Sequence, residues 1–566
     1  MFATVSTAAE IVPPEPFIPP EGHACGFGHD VAAVALDGFL RRLAAQEAHC
    51  RLVLGRLAHR LLKRAGQHAL GFARLGDYVR ERLGLSARQV QSLAAVAERA
   101  ASLPATQAAF IKGELSWAQL RLLVGVAAPD TEAEWLALAR GRTVRALGAL
   151  VRTAGGSDDA EDAGEPHVRF RLCGPRRLLP LWRDVVELAR RMAGEQLGHA
   201  QAAEAIAAEG LSARPPGTEP WPEPRQPATS PADPDETRAA FACHLDWAAV
   251  AEALPDDVES FGAALDHLDP FALDERMRAV VRAMQRIDWQ TGRLLRLFLD
   301  RRLHVVMGFS SASRYLRERL GMSERKARAL VALERKTRRA PQLGDAYRAG
   351  ALSWVRALTV LPVVAERTAA AWVARAREVT VRRLADEVEW AMAMRVPCDP
   401  VAPPPPGARL DEPQRQMCAR EPVDAEIVFG APASVVALLR TAILAFAHPA
   451  DALWKGFERL LQHVKGEWES QPRHHDPVFA RDGWRCAVPA CSSRRNLHDH
   501  HILFRSRGGD NARDNRITVC AWHHLRGIHA GRVRAWGEAP GAITWELGVR
   551  AGQAPLLRLE GDRYLV

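Results

Sequence analysis

Apolar residues recur along most of this chain at intervals of three and four, the spacing that lines one face of an α-helix. The pattern predicts helices over residues 29–150 and 237–394, with a further helical stretch from Leu178 to about Glu209. Two short runs break it. HVRFRL at 167–172 and AEIVFG at 425–430 each read as a strand followed by a helix. The helical pattern stops at segments rich in proline, glycine and acidic residues: 1–28, 155–166, 212–236 and PCDPVAPPPPG at 397–407. Such composition cannot bury enough apolar surface to fold, so these segments read as a disordered N-terminus and linkers.

The helical region is duplicated. Gly71-Phe72 returns as Gly308-Phe309, and Arg80-Glu81-Arg82-Leu83-Gly84 as Arg317-Glu318-Arg319-Leu320-Gly321. Leu115-Ser116-Trp117 returns as Leu352-Ser353-Trp354, and Thr143-Val144-Arg145 as Thr380-Val381-Arg382. The offset is 237 throughout, and from 71 to 86 nine of sixteen positions are identical, which chance does not produce. The two strand–helix pieces share a pattern and extend the duplicated unit. The expected organisation is a disordered stretch (1–28), repeat unit 1 (29–211), a linker (212–236), repeat unit 2 (237–470, with its proline-rich insert), a C-terminal domain (472–537) and a β extension (538–566).

Within each copy, Ser86 with Gln89 forms the sequence of a capping box, and Ser116, Ser323 and Ser353 likewise precede helical patterns. Leu83-Gly84-Leu85-Ser86 therefore reads as helix, tight turn, cap, helix. LGLSARQVQSL followed by KGELSWAQLRLL, and LGMSERKARAL followed by GALSWVRAL, resemble the helix-turn-helix core of ParB-type partition proteins over about 40 residues per copy. That resemblance implies that the helices starting at Ser86 and Ser323 enter a DNA major groove, with Arg88, Gln91, Arg325, Lys326 and Arg328 facing it. The bland alternative is a helical scaffold with a solvated arginine face. A duplicated reader suits a two-half-site target and leaves room for a homodimer.

Composition adds modestly to this. Hydrophobic residues make up 48% and charged residues 25%, which is ordinary for a globular protein, and aromatic residues only 6%, which favours helices. The net charge of +9 fits a polyanionic partner but is a small excess at this length. The N-terminus lacks a signal-peptide pattern and no apolar run approaches the roughly 18 residues of a membrane span, so the expected compartment is the cytoplasm.

Nine cysteines are present, and three of them fall within 35 residues near the C-terminus. Cys486 and Cys491 form a C-x4-C pair; after 28 intervening residues, Cys520 and His523 form a C-x2-H pair. Two close pairs joined by a longer loop are the usual source of a tetrahedral zinc site. Interleaved with them are His500-His501, an RSRGGD loop, Asn515 and His524.

This order resembles the HNH nuclease family over about 55 residues. The resemblance implies a ββα fold around a catalytic divalent ion, Mg²⁺ by default, held by His500 and His524. It implies His501 as general base, Asn515 as the residue fixing the loop and orienting His501, and DNA as substrate. Arg505 and Arg507 on the following loop would grip phosphates. Adjacent strand residues face apart, so Asp499, which shares a face with His501, is a rival ligand. Some relatives carry another metal histidine four residues beyond His524. Here that residue is Ile528, and an α-helix would turn His529 about 140° away from His524. His498, His474 and His475 read as surface residues. The expected fold is thus mainly α, with duplicated helical units and a zinc-tied C-terminal domain. The expected function is an endonuclease, the alternative being a non-catalytic zinc-containing DNA-binding regulator. No stacking-aromatic pattern points to RNA.

Overall fold

The structure is a computed structural model and describes residues 29–155, 167–214, 259–394, 401–408, 410, 424–448, 451–470 and 476–565. The expected disordered N-terminus, nearly all of the linker at 212–236, and His474 and His475 lie outside the described residues. The first copy contains α1 (His29–Lys63), α2 (Leu75–Tyr78, continued by a π-helical turn at Val79–Leu83), α3 (Ala87–Ala100), α4 (Pro104–Ile111), α5 (Trp117–Leu123), α6 (Glu132–Ala139), α7 (Val144–Thr153), β1 (His167–Pro175), α8 (Leu178–Ala193) and α9 (His199–Ala213). The second runs in the same order: α10 (Pro270–Asp300), α11 (Leu303–Val306), α12 (Ala312–Leu320), α13 (Glu324–Thr337), α14 (Pro341–Arg348), α15 (Trp354–Val360), α16 (Ala369–Glu378), α17 (Val381–Met394), β2 (Asp424–Pro432), α18 (Ala433–Phe446) and α19 (Leu453–Glu469). The chain is mainly helical, and among the described residues no helix is long and apolar enough to cross a membrane.

Local chemistry accounts for the breaks. Ser86 Oγ accepts from Gln89 N at 3.2 Å while Gln89 Oε1 accepts from Ser86 N at 3.0 Å, the reciprocal pair that starts α3. The stretch from Leu178 breaks into two helices at Gly194, whose φ of +69° suits glycine and whose N–H closes α8 on Arg190 O.

The copies do not fold as two consecutive domains. The chain divides into one compact unit of Met1–Arg64, Leu85–Ala160 and Gln226–Leu358 and another of Ala65–Gly84, Glu161–Arg225 and Thr359–Val566, so each unit draws on both copies. The reason is burial: an amphipathic helix must cover its apolar stripe, and here the other copy covers part of it.

In the first unit, α1 packs along its repeat counterpart α10, and Leu40, Leu54 and Leu57 of the one and Met277, Val280 and Leu294 of the other are fully buried. Gly55 of α1 approaches Leu93 of α3 so closely that a Cβ would lie 2.3 Å from the Leu93 carbonyl oxygen, and its counterpart Gly292 faces Leu330 in the same way. Glu318 of α12 accepts from the Val144 and Arg145 N–H groups at 2.5 and 3.2 Å, supplying an acceptor and a negative charge at the start of α7. The equivalent contact recurs in the second unit, where Glu81 accepts from Val381 N at 2.9 Å at the start of α17. Each copy thus caps a helix of the other.

Lys326 does not face a groove. Its Nζ lies 2.6 Å from Glu47 and 2.8 Å from Asp288, because the residue after the helix start turns toward α1 and α10 rather than outward. Burial disfavours ionised Glu47, but Arg51 and Lys326 outweigh it and hold its carboxyl down to about 2. Burial dominates at Asp288 and pushes that carboxyl up. Arg88, Gln91 and Arg325 are exposed, and exposed Arg328 pairs with Glu324.

In the second unit, β1 and β2 form a two-stranded antiparallel ribbon. When Pro175 is aligned with Pro432, Arg171 and Val428 hold equivalent positions, and they pair with each other, so a local two-fold axis passes between them. Phe170, Leu172, Ile427 and Phe429 turn onto α8, α9, α18 and α19, with Trp182 stacked on Phe429 at 5.6 Å. The proline-rich insert is not a free linker over 401–408. Its extended backbone presents carbonyls of Val401, Pro404 and Ala408 to Trp372 Nε1, Arg375 and Arg383 at 2.9, 2.8 and 2.9 Å.

Beyond α19 come α20 (Pro477–Arg481), an antiparallel pair of β3 (Leu497–His501) and β4 (Arg516–Cys520), a π-helical turn (His523–Ile528), and a four-stranded meander of β5 (Val533–Glu538), β6 (Ala542–Leu547), β7 (Leu557–Glu560) and β8 (Arg563–Tyr564). The meander begins at Val533, inside the segment expected to belong to the metal domain.

Replacing Lys326 by Met leaves Glu47 and Asp288 buried without their shared cation and is expected to cost about 3 kcal/mol, read as a lower urea midpoint. An unchanged midpoint would show that this ion cluster is solvated.

Candidate metal centre

Residues 482–496 contain no strand or helix, yet Cys486 is fully buried and Cys491 is 2% exposed. The backbone is satisfied locally and across to β4: Cys486 N donates to Ser493 O, Cys491 N to Val488 O, and Ala487 N to Thr518 O at 2.7 Å. Cys520 ends β4 and His523 opens the π-helical turn, so the second pair comes from a strand end and a helix start rather than from one helix. The four buried side chains bring their ligand atoms within 4.8 Å of one another and can hold a metal ion such as zinc. Cys486 Sγ and Cys520 Sγ lie 3.4 and 3.3 Å from His523 Nδ1. A tetrahedron with metal–sulfur and metal–nitrogen bonds of about 2.3 and 2.0 Å has edges of about 3.5 Å. The Cys486 and Cys520 sulfurs, together with burial, push the Cys491 thiol well above its ordinary range. A cation at the centre reverses that effect.

Both repeat copies brace this segment. His523 Nε2 lies 3.2 Å from the Gly71 carbonyl oxygen, which orients the ring so that Nδ1 faces the sulfurs. Gly71 has φ +83°, and a Cβ there would sit 2.6 Å from Gly548 N. Asp77 accepts from Ser492 N and Oγ at 3.1 and 2.6 Å. From α17, Arg382 donates to the carbonyl oxygens of Cys486, Val488 and Cys491 at 2.9, 3.2 and 2.8 Å and to Asp562 at 2.8 Å.

A second cluster lies next along the chain. His500, His524 and His529 bring ring nitrogens within 4.8 Å of one another and can also hold a metal ion. His529 is therefore not turned away. The turn is π-helical, with His529 N donating to His524 O at 3.1 Å, so the residue five positions on, not four, closes the turn and returns to the face of His524. His498 is not a bystander either: alternation puts it on the face of His500, and its Nδ1 meets His524 Nδ1 at 2.9 Å. Burial, and then the neighbouring rings of His524, His529 and His501, lower the His500 imidazole to about 4. Burial, then His529 and His498, lower His524. Among the described residues His500 Nε2 is buried without a hydrogen-bond partner. Neutral imidazoles with an orphaned buried nitrogen are a fitting donor set for a metal ion.

The other face of β3 carries Asp499 and His501. Asp499 is committed to Arg516 and lies outside the histidine cluster, so it is not a ligand there. His501 Nε2 lies 2.9 Å from Asn511 Oδ1. Asn515 fixes the loop as expected, accepting from Leu503 N at 2.8 Å and donating to the oxygens of Leu503 and Asp510 at 3.2 and 2.9 Å. Its side chain does not reach the His501 ring; Asn511, four residues earlier in the same loop, does. Gly509 permits the loop's closeness, since a Cβ there would collide with Leu503 O. Arg505 and Arg507 are exposed on the turn, Arg507 resting over Phe504 at 5.3 Å.

No protein-family model, curated protein or solved structure matches this chain.

Metal analysis of the purified chain is expected to give one tightly held ion, lost in Cys486→Ser together with the fold of the second unit. Gly71→Ala is expected to weaken retention of that ion by about 10- to 100-fold, measured by competition with a chelator. Full retention in both variants would remove the four residues from the ligand set.

Proposed function

We propose that this chain is a metal-dependent endonuclease of the HNH type that hydrolyses phosphodiester bonds in DNA, with zinc in the four-ligand site. The observation that carries the reading is the meeting of His500, His524 and His529, with His501 next along β3 and its ring anchored on Asn511. Sulfur-rich tetrahedral donors favour zinc in the structural site. Three imidazoles suit a transition ion better than Mg²⁺, which prefers oxygen ligands, so Mn²⁺, Co²⁺, Ni²⁺ or Zn²⁺ replaces Mg²⁺ as the favoured catalytic ion. When bound, that ion would offset negative charge building on the phosphate.

The protein's own groups divide the remaining work. Asn511 Oδ1 can only accept, so it holds the proton of His501 on Nε2 and leaves Nδ1 to take a proton from the attacking water. Asn515 keeps the loop that carries Asn511 closed. Arg505 and Arg507 would hold flanking phosphates without reading sequence. Arg88, Gln91 and Arg325, exposed near the starts of α3 and α13, are a further candidate DNA contact. One observation favours a second reading, a zinc-containing DNA-binding regulator without catalysis: His500 and His501 project from opposite faces of β3.

Supercoiled plasmid, incubated with and without Mn²⁺ or Mg²⁺ and beside an RNA control, decides between them. His501→Ala is expected to lower cutting by at least about 100-fold while the zinc content stays at one per chain. Undiminished cutting in that variant sinks the mechanism. DNA binding with no metal-stimulated cleavage by the parent chain establishes the regulator.

A further inference from the structure

The β1–β2 ribbon covers its core with one face only. The other face is exposed and carries His167, Arg169, Arg171 and Cys173 from β1 and Glu426 and Gly430 from β2. The cross-strand partners of the two arginines are small: Gly430 opposes Arg169 and Val428 opposes Arg171. A Cβ at Gly430 would meet nothing within 4 Å, so Arg169 stands beside open space. Arg171 forms an ion pair diagonally across the ribbon with Glu426, and its side chain stays 64% exposed. A mostly polar, net-positive ribbon face is not the surface of a strand waiting for another sheet.

A two-stranded antiparallel ribbon has the width of the B-DNA major groove, where arginine reads the O6 and N7 of guanine. We propose that the exposed face of this ribbon enters the major groove of double-stranded DNA and reads sequence through Arg169 and Arg171. The ribbon is rigidly backed. Gly174 at the end of β1 lies against Trp454 in the first turn of α19, and Arg495 closes α8 through the Ala193 carbonyl at 2.9 and 2.7 Å. That last contact ties the ribbon's helical backing to the segment between Cys491 and β3. The two halves of the face differ, with arginines from one copy and Glu426, Val428 and Gly430 from the other, so the preferred site is not a palindrome.

The proposal shares its DNA partner with the nuclease reading but needs neither the histidine cluster nor cleavage. Its test therefore uses the full chain carrying His501→Ala, zinc retained, without added divalent ion. Selection from a random duplex library is expected to yield an asymmetric, guanine-containing site. Arg169→Ala combined with Arg171→Ala should weaken binding to that site at least tenfold and erase the preference, with the thermal midpoint unchanged. Saturating duplex should also protect Cys173 from alkylation, followed by peptide mass spectrometry. Wild-type affinity and preference in the double variant overturn the proposal. So does loss of binding in Arg88→Ala with Arg325→Ala while the ribbon variant binds normally, since α3 and α13 are then the readers. A plasmid left uncut by the parent chain, with selected-site binding still dependent on Arg169 and Arg171, removes the nuclease reading and leaves the ribbon standing.

Discussion

Each copy of the repeat buries part of its apolar surface against the other, and much of the structure follows from that. α1 packs against α10, and among the described residues β1 pairs with one strand, β2, supplied by the other copy. A lone hairpin-sized ribbon is marginal in water; four helices behind it make it stable. The exchange extends to single hydrogen bonds, with Glu81 and Glu318 each satisfying helix N–H groups that belong to the opposite copy.

The metal segment exploits this scaffold. A stretch without regular structure cannot fix two thiol ligands beside Cys520 and His523 by packing alone. Here Arg382 gathers three of its carbonyl oxygens and Asp77 two of its donors. Arg382 occupies the repeat position of Arg145, and Asp77 that of Arg314, so the two copies have diverged where the segment docks. Gly71 shows the same division: its counterpart Gly308 keeps a positive φ of 78° but a Cβ there would touch nothing.

Much of the fold was legible because its signals are local. Capping serines, the apolar periodicity and the exact offset of the repeat placed the helices, and the C-x4-C and C-x2-H pairs placed the four-ligand site. What escaped was whatever depends on partners distant in sequence. Lys326 reads as an exposed helix-start lysine until Glu47 and Asp288 are brought beside it. The proline-rich insert reads as a linker until Trp372 and Arg375 claim its carbonyls. The compact units could not be read from the order of the copies, because exchange between repeats leaves no local mark. His529 differs for another reason: an α-helical period turns it away from His524, whereas the backbone takes a π turn that brings it back. Asn511 carries no motif of its own, and its place beside the His501 ring depends on how the loop folds.

Joining the two copies in one chain also sets a stoichiometry. A homodimer built on the same plan would carry two metal segments related by its axis. Among the described residues this chain carries one, tied through Arg495 to the helices behind a ribbon whose two strands still pair about a local two-fold. The ribbon therefore has a polarity that its backbone alone does not: from the axis at Arg171 and Val428, one direction leads to Arg169 and Gly430 and the other to Cys173 and Glu426. A symmetric partner could settle on that backbone in two orientations related by half a turn. The side chains distinguish the orientations, and the single histidine cluster makes the choice between them consequential.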